Sequence, residues 1–512
     1  MNFKNLFRIA ALIGMPSTLV LAQEVEQDSL SHLQTINTQY NNERDFKTNL
    51  FYNPANMSDY SFSKFSSLHL GYDTNSKKTY RPTDGRKNTS IGLYTKSYQK
   101  LKNNVSVWGE ADYSQLTVKD MQWNENLDFN RIAPYNVADS VKSKLDVEKY
   151  HFLGGYAQTF NKFSIGVEGS YTAQLAARSK DPRNKTVSSD LKAKVGANYK
   201  FYKDLEAGLY IQGQKYTQNN QVRFASLIGY AIVYQMTGFG QYNYMFSGGS
   251  SNITNIYEQF GYEYGGQITN KGGRDFYVAF RKGNQDLVKT TDGVLSSAYD
   301  ISELEDEYIV IEGAKFFQKD QHRFGIKANY GYQKRLGTEY GYSNNTSVLE
   351  LIYKQKSYKK EVSNYRGELF YQYNADKFSI TAIPFVDYEE FDERRLRPNN
   401  GQKWNGLTFG ISTDFRVELA QQNVISFQPY FAQKTVSNQN YLFDNEMNSG
   451  MKNWVLNDYR FLSSDVTSYG ATLRYDLKLP KFPGLYTAIN WHNNQILDQN
   501  NTFTNIQLGI IF

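Results

Sequence analysis

Cysteine is absent from the 512-residue chain, and proline (10), histidine (5) and tryptophan (5) are scarce. Without Cys there are no disulfides, no Cys-ligated zinc or iron–sulfur centres and no thiol catalysis. Long apolar runs are missing too. A spanning helix needs ~18 such residues, and the longest mature candidate, Leu227 to Tyr234, falls far short, which excludes a helical membrane protein. Charge of one sign is not concentrated anywhere: Lys and Arg (57) are interspersed with Asp and Glu (51), leaving a net +6 that argues against a nucleic-acid partner. No Gly-x-Ser-x-Gly elbow, phosphate-binding loop or dinucleotide fingerprint occurs.

Residues 1–22 read as a secretory signal peptide. Lys4 and Arg8 form its basic start, Ile9 to Ala22 is apolar but too short to span, and Val20 and Ala22 place cleavage before Gln23.

From residue 61 to 512 the chain repeats one theme, about ten residues alternating apolar and polar and then a turn, which is the signature of strands whose faces meet different solvents. Phe163, Ile165, Val167 and Tyr171 alternate with Ser164, Gly166, Glu168 and Ser170; Tyr469, Ala471, Leu473 and Tyr475 alternate with Gly470, Thr472, Arg474 and Asp476. Tyr marks segment ends, and short connections (such as 161–162, 202–204 and 319–322) alternate with long ones (122–146, 218–253, 287–306, 336–364 and 437–465). This predicts an all-β transmembrane antiparallel up-and-down barrel of about 18 strands, range 16 to 20, with short periplasmic turns and long extracellular loops, in the cell outer membrane. The uncertain segments are 224–248, which could hide another pair, and 346–358, either a loop hairpin or part of a long strand.

By the same parity, Glu110, Asp112, Glu168, Lys192, Lys194, Glu206, Glu263, Arg281, Lys327, Glu368, Arg416, Arg474 and Asp476 line the lumen. Their mixed signs call for neither strong anion nor strong cation selectivity; they fit a salt-bridged interior as well as an open channel. Residues 23–60 lack the alternation and read either as a periplasmic lead-in or as a lumen plug, for which Phe51, Tyr52, Asn53 and Pro54 are the candidates. The loop aromatics Phe239, Tyr242, Tyr244 and Phe246 are expected to pack inward across the barrel mouth. Glu303, Glu305, Asp306 and Glu307 match no calcium loop and read as a solvated charge run. His69, His151 and His492 face the lumen. Pairing of the first and last strands could bring His69 and His492 together, with Asp73 as the nearest carboxylate. That set falls short of a metal site, so no metal, no cofactor and no catalytic residues are expected, and the protein is not read as an enzyme.

The exported start, the Phe51-Tyr52-Asn53-Pro54-Ala55 segment, the Tyr- and Asn-rich hairpins and the terminal Phe512 resemble an uncharacterised family of Bacteroidota outer-membrane barrels, a domain of unknown function covering residues 23–512. More distantly, Asn53-Pro54-Ala55 before the first strand is similar to fatty-acid-transporter-like and secretion-linked barrels, although those have fewer strands. The resemblance implies no catalytic residues. Phe512 resembles the terminal aromatic of the assembly signal read by the barrel assembly machinery. Expected partners are that machinery, outer-membrane lipid and a second outer-membrane protein or surface lipoprotein. The first functional expectation is a porin-like conduit or gated passage for a small polar solute. The alternative is a structural or accessory barrel serving a TonB-dependent transporter or a secretion machine, and an outer-membrane enzyme comes third.

Overall fold

The computed structural model describes residues 31–61, 64–226, 231–248, 252–294, 297–344, 348–443, 447–479 and 483–512. The signal-peptide reading of residues 1–22 therefore lies outside the described residues. Eighteen antiparallel strands form one closed sheet. In chain order they are β1 (Phe65–Lys77), β2 (Lys87–Lys100), β3 (Val105–Met121), β4 (Ser143–Phe160), β5 (Phe163–Arg178), β6 (Arg183–Tyr202), β7 (Leu205–Arg223), β8 (Asn252–Asn270) and β9 (Phe276–Val294). They continue as β10 (Ser297–Lys319), β11 (His322–Tyr342), β12 (Leu351–Asn374), β13 (Phe378–Arg395), β14 (Asn400–Glu418), β15 (Val424–Leu442), β16 (Val466–Leu477), β17 (Gly484–Ile496) and β18 (Gln499–Ile511). Each strand pairs with its successor, and β18 pairs with β1 in the register Leu70↔Leu508 and Tyr72↔Ile506. Closure follows from the solvent: an unpaired N–H or C=O facing lipid costs several kcal/mol, and a ring has no edge.

The outward face carries the apolar half of each alternation. On β5 and β6, Val167 and Val195 pair in register with Phe163↔Tyr199 below and Tyr171↔Leu191 above, and all six side chains are exposed. The eight steps from Tyr199 to Leu191 run roughly 26 Å along the strand at ~3.3 Å each, which at a tilt of ~40° covers most of the height of a barrel's apolar band. The periplasmic hairpins are tight. Phe160↔Phe163 closes over Asn161 at φ 54°, and Lys319↔His322 over Asp320 at φ 52°, left-handed positions that Asn and Asp tolerate.

Two of the expected long loops are mostly strand. Residues 287–306 and 336–364 belong to the hairpins β9–β10 and β11–β12, and 346–358 includes the start of β12. Strands β10, β11 and β12 run 23, 21 and 24 residues, whereas β16, β17 and β18 run 12, 13 and 13. Since ~9–11 residues cross a bilayer, one side of the ring rises well above the membrane as a wall. The segment 224–248 does contain an extra pair, Tyr234–Gly238 with Gln241–Tyr242, but it joins Val137–Ala138 in a separate three-stranded sheet.

Val195→Arg puts a charge at the centre of the apolar band and should cost about 2–4 kcal/mol of folding free energy in urea titrations from lipid vesicles. Lys192→Gln, on the opposite face, should change it by under ~1 kcal/mol.

Candidate functional site

The lumen is obstructed by the protein's own chain at both ends, with a polar chamber between. At the periplasmic end, residues 31–61 form helix α1 (His32–Gln39), helix α2 (Asn42–Phe46) and two 3₁₀ turns, Thr48–Tyr52 and Pro54–Asp59. Ser31 and Gln34 make a capping box on α1, and Asn41 caps α2; these local bonds hold a stretch too polar to make a core of its own. The segment packs on three separate arcs of the ring. Leu33 and Ile36 meet Val424, Tyr486, Ala488 and Ile511; Phe46 and Leu50 meet Tyr277, Ala314, Phe316 and Phe370; Met57 meets Phe65, Tyr98 and Ala157.

Polar bonds tie it down between those arcs. Glu43 accepts from Arg323 (2.9 Å) and Lys47 (2.9 Å), and Asn49 donates to Glu312 (2.7 Å). Burial pushes the Glu43 carboxyl up, but the bonds from Arg323 and Lys47 outweigh it and hold it below the usual range. The tightest seat belongs to Asn53-Pro54-Ala55. Asn53 and Ala55 are fully buried; Asn53 Nδ2 donates to Asn198 Oδ1 (2.9 Å), and its Oδ1 accepts from the Ala55 N–H (3.0 Å). They lie on Gly166, Gly196 and Gly208 of three adjacent strands. A Cβ at Gly166 would strike the Pro54–Ala55 backbone, at Gly196 the Asn53 amide, and at Gly208 the Asn198 and Gln267 amides. These strand glycines make room for another backbone.

The predicted lumen residues can now be placed. Most of the charges are paired on the face opposite the exposed apolar side chains: Lys194–Glu168 (2.9 Å), Lys327–Glu368 (2.7 Å), Arg416–Asp414 (2.5 Å), Arg474–Asp476 (2.6 Å), Lys96–Glu110 (3.1 Å) and Arg281–Glu263 (3.9 Å). Several also hold the inner segment. Lys327 donates to the Phe46 carbonyl, Arg416 to Asn37, Arg281 and Lys194 cover the Tyr52 ring, and Arg474 lies 3.9 Å from both the Tyr40 and Tyr486 rings. Asp112 accepts from the Thr95 N–H, Glu206 sits in register with Lys200 and Thr269, and Lys192 makes no ion pair among the described residues. Phe51 packs edge-on against Tyr60. Phe512 exchanges backbone hydrogen bonds with Ser66.

At the extracellular end, residues 122–138, the hairpin 234–242 and helix α4 (Ser449–Leu462) fold together into a cap that includes the one-turn helix α3 (Phe129–Ile132). Trp123 stacks on Trp454 at 5.5 Å and 5°. The upper strands supply buried anchors. Arg178 Nη1 bonds Asp139 (2.6 Å) and also pairs with Glu125, Arg335 donates to the carbonyls of Asn130 (2.8 Å) and Ala133 (2.7 Å), and Arg395 donates to that of Thr237 (2.8 Å). Sequence reading missed these residues because both faces of a strand are polar above the membrane, so alternation carries no signal there.

Three of the four loop aromatics pack inward. Phe239 packs with Tyr358, Phe443, Val455 and Tyr459, Phe246 lies against Tyr299 and Tyr342, and Tyr242 is half-buried on the cluster of Trp123, Met236 and Trp454. Tyr244 does not: it is 74% exposed, and among the described residues its ring packs on Tyr242 at 4.6 Å. The acidic stretch is not merely solvated. Glu303 accepts from Tyr340, Glu305 pairs with Lys356, Glu307 with Lys282, and buried Asp306 takes Arg335 bidentately. His69 and His492 do not meet. His69 is level with Gly509 and His492 with Phe503, six residues apart along β18, or about 20 Å. His69 stacks on Tyr94, His151 bonds Thr172, and His492 lies beside Tyr430. Among the described residues no cluster of three or more His, Asp or Glu could hold a metal.

The model of a family of unknown function (DUF6850) matches residues 54–512. The chain belongs to that family. No curated protein matches this DUF6850 member. Among solved structures it is similar to the ferric preacinetobactin receptor BauA from Acinetobacter baumannii (TM-score 0.39, 8% identity, 88% of this chain and 80% of that one). It is also similar to the ferric yersiniabactin uptake receptor FyuA from Yersinia pestis (TM-score 0.41, 9% identity, 88% and 80%).

Two predictions follow from the two closures. Gly166→Ala should unseat Pro54-Ala55 and raise the maleimide labelling rate of a Ser58→Cys reporter at least about tenfold, roughly the 1–2 kcal/mol of a lost buried seat. Gly213→Ala, where an added Cβ meets nothing within 4 Å, should leave labelling unchanged. In the cap, Asp458 Oδ2 accepts from Trp454 (3.0 Å) while its buried Oδ1 has no partner among the described residues. Burial, opposed by Arg81, pushes its carboxyl up to about 7 from 3.8. The docked cap thus keeps a proton that a released loop gives up between those values, and docking weakens as pH rises through that window. The Trp123–Trp454 circular-dichroism couplet should fade from pH ~4 to ~8 in the wild type and fade less in Asp458→Asn, where the cap-anchoring Asp139, which burial also pushes up to about 7, still titrates.

Proposed function

We propose that this DUF6850 barrel resides in the outer membrane and is a gated passage for a small polar solute, with residues 31–61 as the periplasmic gate. The observation that carries this reading is the polar chamber of about 510 Å³ left between strands β13 to β18 and the inner segment at Tyr40, Asn42 and Asp45. Eighteen strands enclose more space than their own side chains fill, and the chain closes that space with a stretch seated on three small apolar clusters and on a set of hydrogen bonds and ion pairs. Water replaces each polar bond the segment gives up, so the cost of its leaving lies in those few apolar side chains. In this reading the protein is not an enzyme: its His residues are dispersed and its lumen acids are paired.

A second reading, an accessory barrel for a TonB-dependent transporter or secretion machine, draws on the wall above the membrane. Val348, Ile352 and Tyr353 at the β11–β12 tip are 58%, 66% and 55% exposed, and β12 pairs with β13 only from Tyr358 onward, leaving an open strand edge beside them. Exposed apolar edges of this kind suit a protein partner.

The refolded wild type in a planar bilayer should be nearly insulating, and deletion of residues 31–59 together with replacement of the cap segments 122–138, 234–242 and 449–462 by short loops should produce stable conductance steps of a water-filled pore. Silence from the deleted, correctly folded barrel would overturn the conduit reading and leave the accessory one.

A further inference from the structure

The chamber has a structured wall. Across strands β15 to β18 one register row reads Gln428↔Thr472↔Asn490↔Asn505. Alternation turns these four toward the lumen, together with Tyr430 and Gln507 in the rows above and below, and all six line the same cavity. Asn505 donates to Asp73 Oδ1 (2.6 Å), and Ser90 occupies the other oxygen of that carboxylate (2.8 Å). The side chains of Gln428, Thr472, Asn490 and Gln507 and the Tyr430 hydroxyl make no hydrogen bond to any described residue. Most other polar side chains of the lumen are engaged in ion pairs or hold the inner segment; these five converge on a space.

Charge is cancelled in the same place. Asp414 pairs with Arg416 and Arg474 with Asp476 within the wall, and Asp45 on the floor lies 3.6 Å from Arg44. Asp414 is buried, its Oδ2 receives Arg416 and Asn42, and its Oδ1 receives nothing among the described residues. An ion entering this space would leave its hydration shell for groups that offer no net countercharge. A solute whose every group both donates and accepts meets amides and hydroxyls that do the same.

We propose that the chamber is a binding site for an uncharged, hydroxyl-rich solute, a sugar or polyol of one to two rings, held by Gln428, Thr472, Asn490 and Gln507. The volume lies in the range of small-molecule sites, and the Tyr430 ring offers an apolar face for the C–H side of a sugar ring. The site rests on the gated-passage reading for its purpose but not for its chemistry, since binding needs no passage.

The test uses the full mature protein, refolded with each probe present so that the chamber fills before it closes. The probes are maltose, the anionic lactobionate and the cationic glucosamine; the readout is the temperature at which the compact, heat-modifiable form is lost. Sugars stabilise proteins generally by exclusion, so each shift is taken relative to Asn490→Leu and Gln428→Leu, which remove wall groups that make no hydrogen bond among the described residues. Maltose should raise the wild-type temperature by at least about 2 °C more than that of either Leu variant, and the charged probes should show no such difference. Arg366→Gln, in the charged opposite wall, should behave as the wild type. An equal shift in the Leu variants, a charged probe matching maltose, or no excess shift with maltose, glucose or mannitol would overturn the proposal and leave a water-filled space only. A barrel that binds maltose yet stays silent after both closures are removed would retire the passage reading and keep the site.

Discussion

Backbone pairing in lipid is the constraint on which the rest of this structure depends. Every strand must find a partner on both sides within the hydrocarbon, so eighteen strands close into a ring, and closure fixes which half of each alternating sequence faces lipid. It also creates a problem that shorter rings do not have, because the enclosed space is too wide for strand side chains to fill. The protein meets this with its own chain. A capped, polar N-terminal stretch crosses the periplasmic end, and loops anchored by buried Arg and Asn side chains cover the other.

The two closures are built differently. The cap relies on aromatic stacking and a buried Glu125–Arg178–Asp139 triad, groups whose separation would leave charge uncompensated in a dry environment. The inner segment relies on shape at one point, the glycine-paved seat of Asn53-Pro54-Ala55, and elsewhere on three small apolar clusters and many separate polar bonds. The polar bonds exchange readily with water, which makes this end the one suited to move. Between them the lumen has two unlike walls: densely ion-paired on β5 to β12, and on β15 to β18 carrying the Arg474–Asp476 ion pair beside a row of amides and hydroxyls.

The fold was legible in the sequence because alternation, tight turns and girdle aromatics are local signals. Val167 and Val195 announce their face through their neighbours alone. Height around the ring was not legible. His69 and His492 sit on strands that both pair with β18, yet register separates them by six residues, and register depends on every strand between. Above the membrane alternation lapses, so the upper ends of β10 to β12 read as loops and Arg335 and Arg395 passed unnoticed. Gly166, Gly196 and Gly208 could not be connected with Asn53 either, since their empty Cβ positions acquire meaning only when a distant segment lies on them.

The central claim is that residues 31–61 are part of the folded interior. Hydrogen–deuterium exchange of the intact protein in lipid nanodiscs tests it most directly. The account predicts that amides of residues 42–59 exchange orders of magnitude more slowly than an unstructured chain, with Ala55 and Asn56 among the slowest. Exchange of that stretch at the rate of free peptide, in a barrel whose strands remain protected, would contradict it.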